Sequence, residues 1–228
     1  MADALTGPAL DHVDCWLFDL DNTLYDPVHD LFGQIDVRMG LYIQRLLDCD
    51  APHARVVQKR YFHDHGTTLA GLMRHHGVEP LDFLDFVHDI DVTVLPPAPD
   101  LLAALQRLPG RRMVFTNGDA AYARRVMDRL GISAAFDGVH DIIAADFIPK
   151  PEQHAYDSLV RDHGIDPSMA LFVEDMAQNL RPAKAMGMVT IWLNNGSERG
   201  DHGVDHAWID REISHIGHWL NQITEHMT

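Results

Sequence analysis

Seven side chains in this sequence have the types and spacing needed to handle a phosphoryl group. Asp19 and Asp21 stand two apart after one apolar run, and Thr116 and Asn117 follow a second. Lys150 precedes a proline, and Glu174 and Asp175 close a third apolar run. Asp19, Glu174 and Asp175 supply hard oxygen ligands for Mg²⁺, which keeps several waters and binds through a few carboxylates plus phosphate oxygens. Such a cation offsets the repulsion between an attacking carboxylate and a phosphate dianion. Asp19 then suits the nucleophile that forms an aspartyl phosphate. Asp21 suits the proton carrier, serving first the leaving alkoxide and then the attacking water. Thr116 and the backbone N–H groups of Asn117 and Gly118 can take phosphate oxygens where a helix begins and its dipole favours negative charge. Lys150 would neutralise both nucleophile and phosphate. Each feature alone is an ordinary turn, loop or helix cap. In this order, each following a predicted strand or lying in the loop beyond it, they describe one site.

The elements that must position these residues read as an α/β pattern. Cys15-Trp16-Leu17-Phe18 is a buried strand that ends abruptly at Asp19. Further strands are expected at 112–115, 138–143, 170–173 and 189–193, alternating with helices at 100–108, 122–130, 152–163 and 178–186. Short apolar strands alternating with amphipathic helices imply an α/β fold, a parallel sheet with helices on both faces. In such a sheet ligands bind beyond the carboxyl ends of the strands, where all four segments deliver their polar residues. Between the first two strands the pattern changes. Leu31, Ile35, Met39, Tyr42, Ile43, Leu46 and Leu47 recur at helical spacing, and helices follow at 54–65, 68–76 and 81–88. The expected organisation is an α/β core over 14–27 and 95–228, an inserted all-helical segment over 28–94, and a flexible leader over 1–13. A closing helix is expected at 215–227.

Composition bounds the partners. The 228 residues hold 34 acidic and 18 basic side chains, a formal charge of -16. That field repels polyphosphate backbones and anionic lipid surfaces, so no nucleic-acid polymer and no membrane is expected as a partner. Lysine occurs only at Lys59, Lys150 and Lys184, which makes the one beside Pro151 notable. Cys15 and Cys49 lack metal-ligand spacing, and no apolar run reaches about 18 residues. The expectation is a cytoplasmic monomer or homodimer in a reducing compartment. Sixteen histidines, including His75-His76 and His202, His206, His215 and His218, read as solvated helix faces and caps rather than a metal site.

Phe18-Asp19-Leu20-Asp21-Asn22-Thr23-Leu24, Phe115-Thr116-Asn117, Lys150-Pro151 and Phe172-Val173-Glu174-Asp175 resemble the four motifs of the haloacid dehalogenase-like (HAD) hydrolases. The resemblance implies a Rossmann-like, doubly wound parallel-sheet core with a helical cap inserted after the first motif, Asp19 as nucleophile and Asp21 as general acid/base. It also implies Thr116 and Lys150 on the phosphoryl group. Mg²⁺ would be held by Asp19, the backbone carbonyl of Asp21, and Asp175 with help from Glu174. Tyr25-Asp26-Pro27, followed by Ile35-Asp36-Val37-Arg38-Met39 and the stretch from Tyr61 to Met73, resembles the pyrimidine 5'-nucleotidase branch, with His65 where that branch has Tyr. The fourth motif is Glu-Asp, where that branch has Asp-Asp. Arg38, Tyr42 and His65 are the cap residues expected to contact substrate.

These readings predict a Mg²⁺-dependent phosphomonoesterase of a small phosphorylated metabolite, foremost a pyrimidine nucleoside 5'-monophosphate. The alternatives are a phosphatase of a sugar phosphate or phosphoglycolate, and a phosphomutase, which uses the same residues. A haloalkanoate dehalogenase has no need of Asp21 or of the acidic pair. A phosphoacceptor module would place its acidic pair first in the chain, and an inactive binding scaffold would lack one of the key residues.

Overall fold

The computed structural model describes residues 10–197 and 200–226. Of the expected leader, 1–9 lie outside the described residues, whereas Val13 is buried and Leu10 packs against the core. Residues 10–13 of that segment thus pack with the fold.

Six parallel strands form one sheet: β1 (Cys15–Phe18), β2 (Arg111–Phe115), β3 (Gly138–His140), β4 (Ala170–Glu174), β5 (Val189–Leu193) and β6 (Arg211–Ile213). Their order is β3-β2-β1-β4-β5-β6. β1, β4 and β5 are buried along their whole length, as continuous apolar strands covered on both faces should be. Alternate side chains enter opposite layers. Trp16 and Phe18 face one core, whereas Cys15 and Leu17 face the other. Helices α5 (Pro99–Gln106), α6 (Ala120–Leu130) and α9 (Ile216–His226) cover the first face. The second is covered by α7 (Gln153–His163) and α8 (Leu180–Ala185).

Two strand expectations differ from the structure. β3 stops at His140 because the Asp141 carboxylate takes the backbone N–H groups of Ala120 and Ala144, at 2.8 and 2.9 Å, which turns the chain out of the sheet. β6 was not expected. Arg-Glu-Ile is too short and too polar to signal a strand, and it forms by pairing with the edge of β5.

The insertion between β1 and β2 is all helical, as its spacing predicts: α1 (Leu31–Leu47), α2 (Ala51–His65), α3 (Thr68–His76) and α4 (Pro80–Val87). Asp50 caps α2 through the His53 N–H at 2.9 Å, with Pro52 in the first turn. Thr67 caps α3 through the Ala70 N–H at 3.1 Å. α1 packs on α2 and α4, and α2 on α3. Gly71 is required in that last contact: a Cβ there would lie 2.4 Å from the Tyr61 ring.

β1 sits between β2 and β4, with Phe18 in register with Val114 and Val173. The connections leave β1 in both directions, so the residues just past β1, β2 and β4 share one crevice.

Candidate active site

Lys150 is the organising side chain. Its ammonium donates to Asp19 Oδ1 at 2.6 Å, the Phe115 carbonyl at 2.8 Å and Glu174 Oε1 at 2.9 Å. These use all three of its N–H donors. The side chain is 1% exposed, against 9% for Asp19 and 1% for Glu174. Burial alone would lower the Lys150 pKa, but the two carboxylates outweigh it and hold the ammonium above its ordinary value. Asn117 fixes the loop that carries it, its Oδ1 accepting the Lys150 N–H at 2.8 Å and its Nδ2 donating to the Lys150 carbonyl at 3.2 Å.

Three carboxylates, of Asp19, Glu174 and Asp175, have ligand atoms within 4.8 Å of one another. Burial, with the neighbouring acids, pushes Asp19 and Asp175 upward; Lys150 opposes this at Asp19. With all three ionised against one ammonium the crevice would be two units negative, a state that is costly to bury without a counter-cation, and the upward shifts of Asp19 and Asp175 express that cost. Glu174 is largely committed. Its Oε1 also accepts from Asn179 Nδ2 at 2.5 Å, and its Oε2 from the Met176 N–H at 2.7 Å. Asn179 Oδ1, buried at the same rim, has no hydrogen-bond partner. Hard carboxylate oxygens, an uncompensated negative charge and a spare acceptor for a metal-bound water all fit a hydrated divalent ion such as Mg²⁺. Asp19 and Asp175 would hold it directly.

Asp21 leaves β1 just ahead of Asn22, whose φ of 59° places it in the left-handed region that Asn tolerates. Burial raises the Asp21 pKa, and hydrogen bonds from Tyr122 and Tyr25 oppose the rise. Thr116 is buried, and its Oγ1 accepts the Gly118 N–H at 2.9 Å. Gly118 lines the cavity, but its amide, one of the expected phosphate donors, is engaged within the loop; the Thr116 hydroxyl and the Asn117 amide are the other two. The Asn117 side chain serves Lys150 rather than a ligand.

These residues floor a cavity of about 200 Å³ whose roof is the helical insertion. The three expected cap contacts do not reach it. Arg38 donates to the Phe86 carbonyl at 2.5 Å and to Asp89 at 3.0 Å, and lies over the Phe86 ring. Tyr42 packs edge-on against Phe83 and Phe86. His65 meets His75 at 3.0 Å, beside Tyr61. The roof instead takes Phe32, Ile35, Asp36 and Met39 from α1, Gln58, Lys59 and Phe62 from α2, and Phe83, Leu84 and Val87 from α4. The α1 set has i, i+3, i+4, i+7 spacing, a signal present in the sequence for one helix face. Within this apolar surface lies one polar island: Asp36 Oδ1 accepts from Gln58 Nε2 at 2.9 Å and Lys59 Nζ at 3.1 Å, and Asp36 Oδ2 pairs with Arg55.

The sequence model of the haloacid dehalogenase-like hydrolase family matches residues 13–187, from ahead of β1 to beyond α8. The chain belongs to the haloacid dehalogenase-like hydrolases. Phosphoglycolate phosphatase of Pseudomonas putida is 27% identical over 202 residues, covering 81% of this chain and 70% of that protein. Among solved structures, a HAD phosphatase of Thermococcus onnurineus superposes with a TM-score of 0.61 at 19% identity, covering 94% of this chain and 98% of that one. A HAD hydrolase of Bacillus subtilis bound to magnesium gives 0.60 at 15% identity, covering 95% and 99%. The HAD fold thus extends over both the sheet and the helical insertion. No helix among the described residues is long and apolar enough to cross a membrane.

Proposed function

We propose that this HAD hydrolase is a Mg²⁺-dependent phosphomonoesterase that works through an aspartyl phosphate. The observation that carries the reading is the Lys150 ammonium bonded to Asp19 and Glu174 in a crevice that Thr116 and Asp175 share. Mg²⁺, held by Asp19, Asp175 and the Asp21 carbonyl, would supply charge neutralisation and orient the phosphoryl group. Lys150 favours the ionised form of Asp19 against its burial and aims the carboxylate, and the Thr116 hydroxyl and Asn117 amide bind phosphoryl oxygens. Asp19 attacks phosphorus. Asp21, its carboxyl pKa raised by burial, gives a proton to the leaving oxygen and then takes one from the water that cleaves the acyl phosphate.

For the ester's organic part, the roof supports a nucleoside 5'-monophosphate, with pyrimidine preferred. Phe32, Met39 and Phe62 offer apolar surface to a ring, and the Asp36–Gln58–Lys59 island offers polar groups to its edge. A second reading, phosphoglycolate, draws on the relatives of that name at about 27% identity. A glycolate carboxylate needs a cation, and the roof's Lys59 already bonds Asp36. Phosphate release from nucleotides, sugar phosphates and phosphoglycolate, with and without Mg²⁺, tests both readings. A nucleoside monophosphate should lead and chelation should stop turnover. Phosphoglycolate leading would replace the substrate reading, and turnover unaffected by chelation would remove the metal.

A further inference from the structure

Asp21 has a support that lies outside the four motifs. The hydroxyls of Tyr25 and Tyr122 both donate to its Oδ1, each at 2.6 Å. Both tyrosines are buried. No hydrogen bond joins Asp21 Oδ2 to any of the described residues. Tyr122 is itself held. Its ring lies flat against His88, centroids 4.2 Å apart and planes 9° from parallel. His88 Nδ1 bonds Asp119 Oδ2 at 2.5 Å, and Asp119 Oδ1 accepts the Tyr122 N–H at 2.8 Å. Arg125 fixes the same stretch of chain through the carbonyls of His88 and Ile90, at 2.8 and 2.7 Å. Tyr25 lies on the chain's way from β1 into the helical insertion, and His88 on its way back to the core.

We propose that Tyr25 and Tyr122 are positioning residues that lock the Asp21 carboxyl with Oδ1 saturated, so that Oδ2 alone exchanges a proton with substrate, and that His88 keeps Tyr122 in place. The inference rests on the phosphomonoesterase reading above. A carboxyl oxygen has two acceptor sites, and two O–H donors fill both, so in the acid form the proton must sit on Oδ2. In the first step the Asp19 oxygen forms a bond to phosphorus as the bond from phosphorus to the ester oxygen breaks. The electron pair left on the ester oxygen takes the Oδ2 proton, which gives the alcohol and Asp21 carboxylate. In the second step a water oxygen bonds phosphorus, the acyl phosphate bond breaks to regenerate the Asp19 carboxylate, and Oδ2 takes the water's proton. Without the tyrosine clamp the carboxyl can rotate, and the proton is divided between two oxygens of which one is misplaced.

The test exploits leaving-group basicity, because an alkoxide needs the Oδ2 proton and p-nitrophenolate does not. With Mg²⁺ present, Tyr122→Phe should slow single-turnover alcohol release from methyl phosphate by about 10- to 100-fold, while slowing the p-nitrophenolate burst by less than about 3-fold. KM for both esters should stay within about 2-fold of wild type. Tyr25→Phe should shift the ratio in the same direction and His88→Leu more weakly, so the inference does not depend on one variant folding. Equal losses on the two esters across these variants, or no loss, would overturn it, since a merely structural role has no means of telling the esters apart. If wild type releases nothing from either ester, the phosphomonoesterase reading falls and takes this inference with it. If wild type turns over both and the variants keep its ratio, only this inference falls.

Discussion

On the cavity floor, Lys150 ties two carboxylates and a backbone carbonyl together, with every donor used and almost no solvent contact. On the roof, side chains such as Phe32, partly exposed, and Met39 present apolar surface around the Asp36–Gln58–Lys59 island. The floor is fixed by charge and the roof by shape. Charged groups buried together tolerate few substitutions, because removing one partner leaves the others unpaired. An apolar surface can change residue by residue at modest cost. The floor therefore suits a reaction common to many esters, and the roof suits discrimination among them.

The largest effect should come from the floor. Asp19→Asn keeps the shape and leaves Lys150 its bonds to Glu174 and Phe115, so the protein should fold, yet turnover of p-nitrophenyl phosphate with Mg²⁺ should fall at least about 10⁴-fold. Wild-type-like turnover would break the comparison at its base. Asp21→Asn should instead trap a phosphoenzyme that resolves slowly, visible by intact-protein mass as one added phosphoryl group.

Next comes stability. Lys150→Met leaves Asp19 and Glu174 buried without their cation, and unfolding in urea without metal should show a loss of about 3–5 kcal/mol. Added Mg²⁺ should recover part of it, since a ligand that binds only the folded state stabilises by mass action. A loss below about 1 kcal/mol would mean the floor is not governed by that ammonium.

How far the sequence could be read follows the same division. Asp19, Thr116, Lys150 and Asp175 each stand directly after a strand or in the loop beyond it, and the sheet's connectivity forces strand ends together, so linear order reported on space. The helical insertion was equally legible from its period. The period marks a face of α1 but not what that face meets: Arg38 and Tyr42 have side chains suited to a ligand, yet it is the Phe32, Ile35, Asp36, Met39 face that lines the cavity. Tyr122 and His88 leave no signal in the sequence, because their roles depend on contacts between distant segments such as Tyr122 to Asp21, 101 residues apart; Tyr25 is only four residues from Asp21, but whether its hydroxyl turns toward that carboxylate is set by the fold. β6 escaped because its pairing partner, rather than its own residues, makes it a strand.

A smaller effect tests the roof directly. Gln58→Leu and Phe32→Ala should change the ratio of kcat/KM between a nucleoside monophosphate and methyl phosphate by about 10-fold, since contacts of this size in a binding pocket contribute about 1–3 kcal/mol. The rate on methyl phosphate, which is too small to touch the roof, should hold. Equal changes on both esters would mean the helices act only by enclosing the site.

The smallest effect is the most discriminating, because it separates position in the helix from chemical type. Arg38 is a cation on a roof helix, and on residue type alone it would be the natural partner for a substrate anion. Its guanidinium instead lies over Phe86 and bonds the Phe86 carbonyl and the exposed Asp89, so it braces α1 against α4. Arg38→Ala should therefore lower the melting temperature by an amount equivalent to about 1 kcal/mol, chiefly through lost packing, because an ion pair this exposed contributes little. The relative rates on nucleotides, phosphoglycolate and methyl phosphate should stay within about 2-fold of wild type. A selective loss on phosphoglycolate would show that Arg38 swings inward to meet a carboxylate, and the roof would then select by charge rather than by shape.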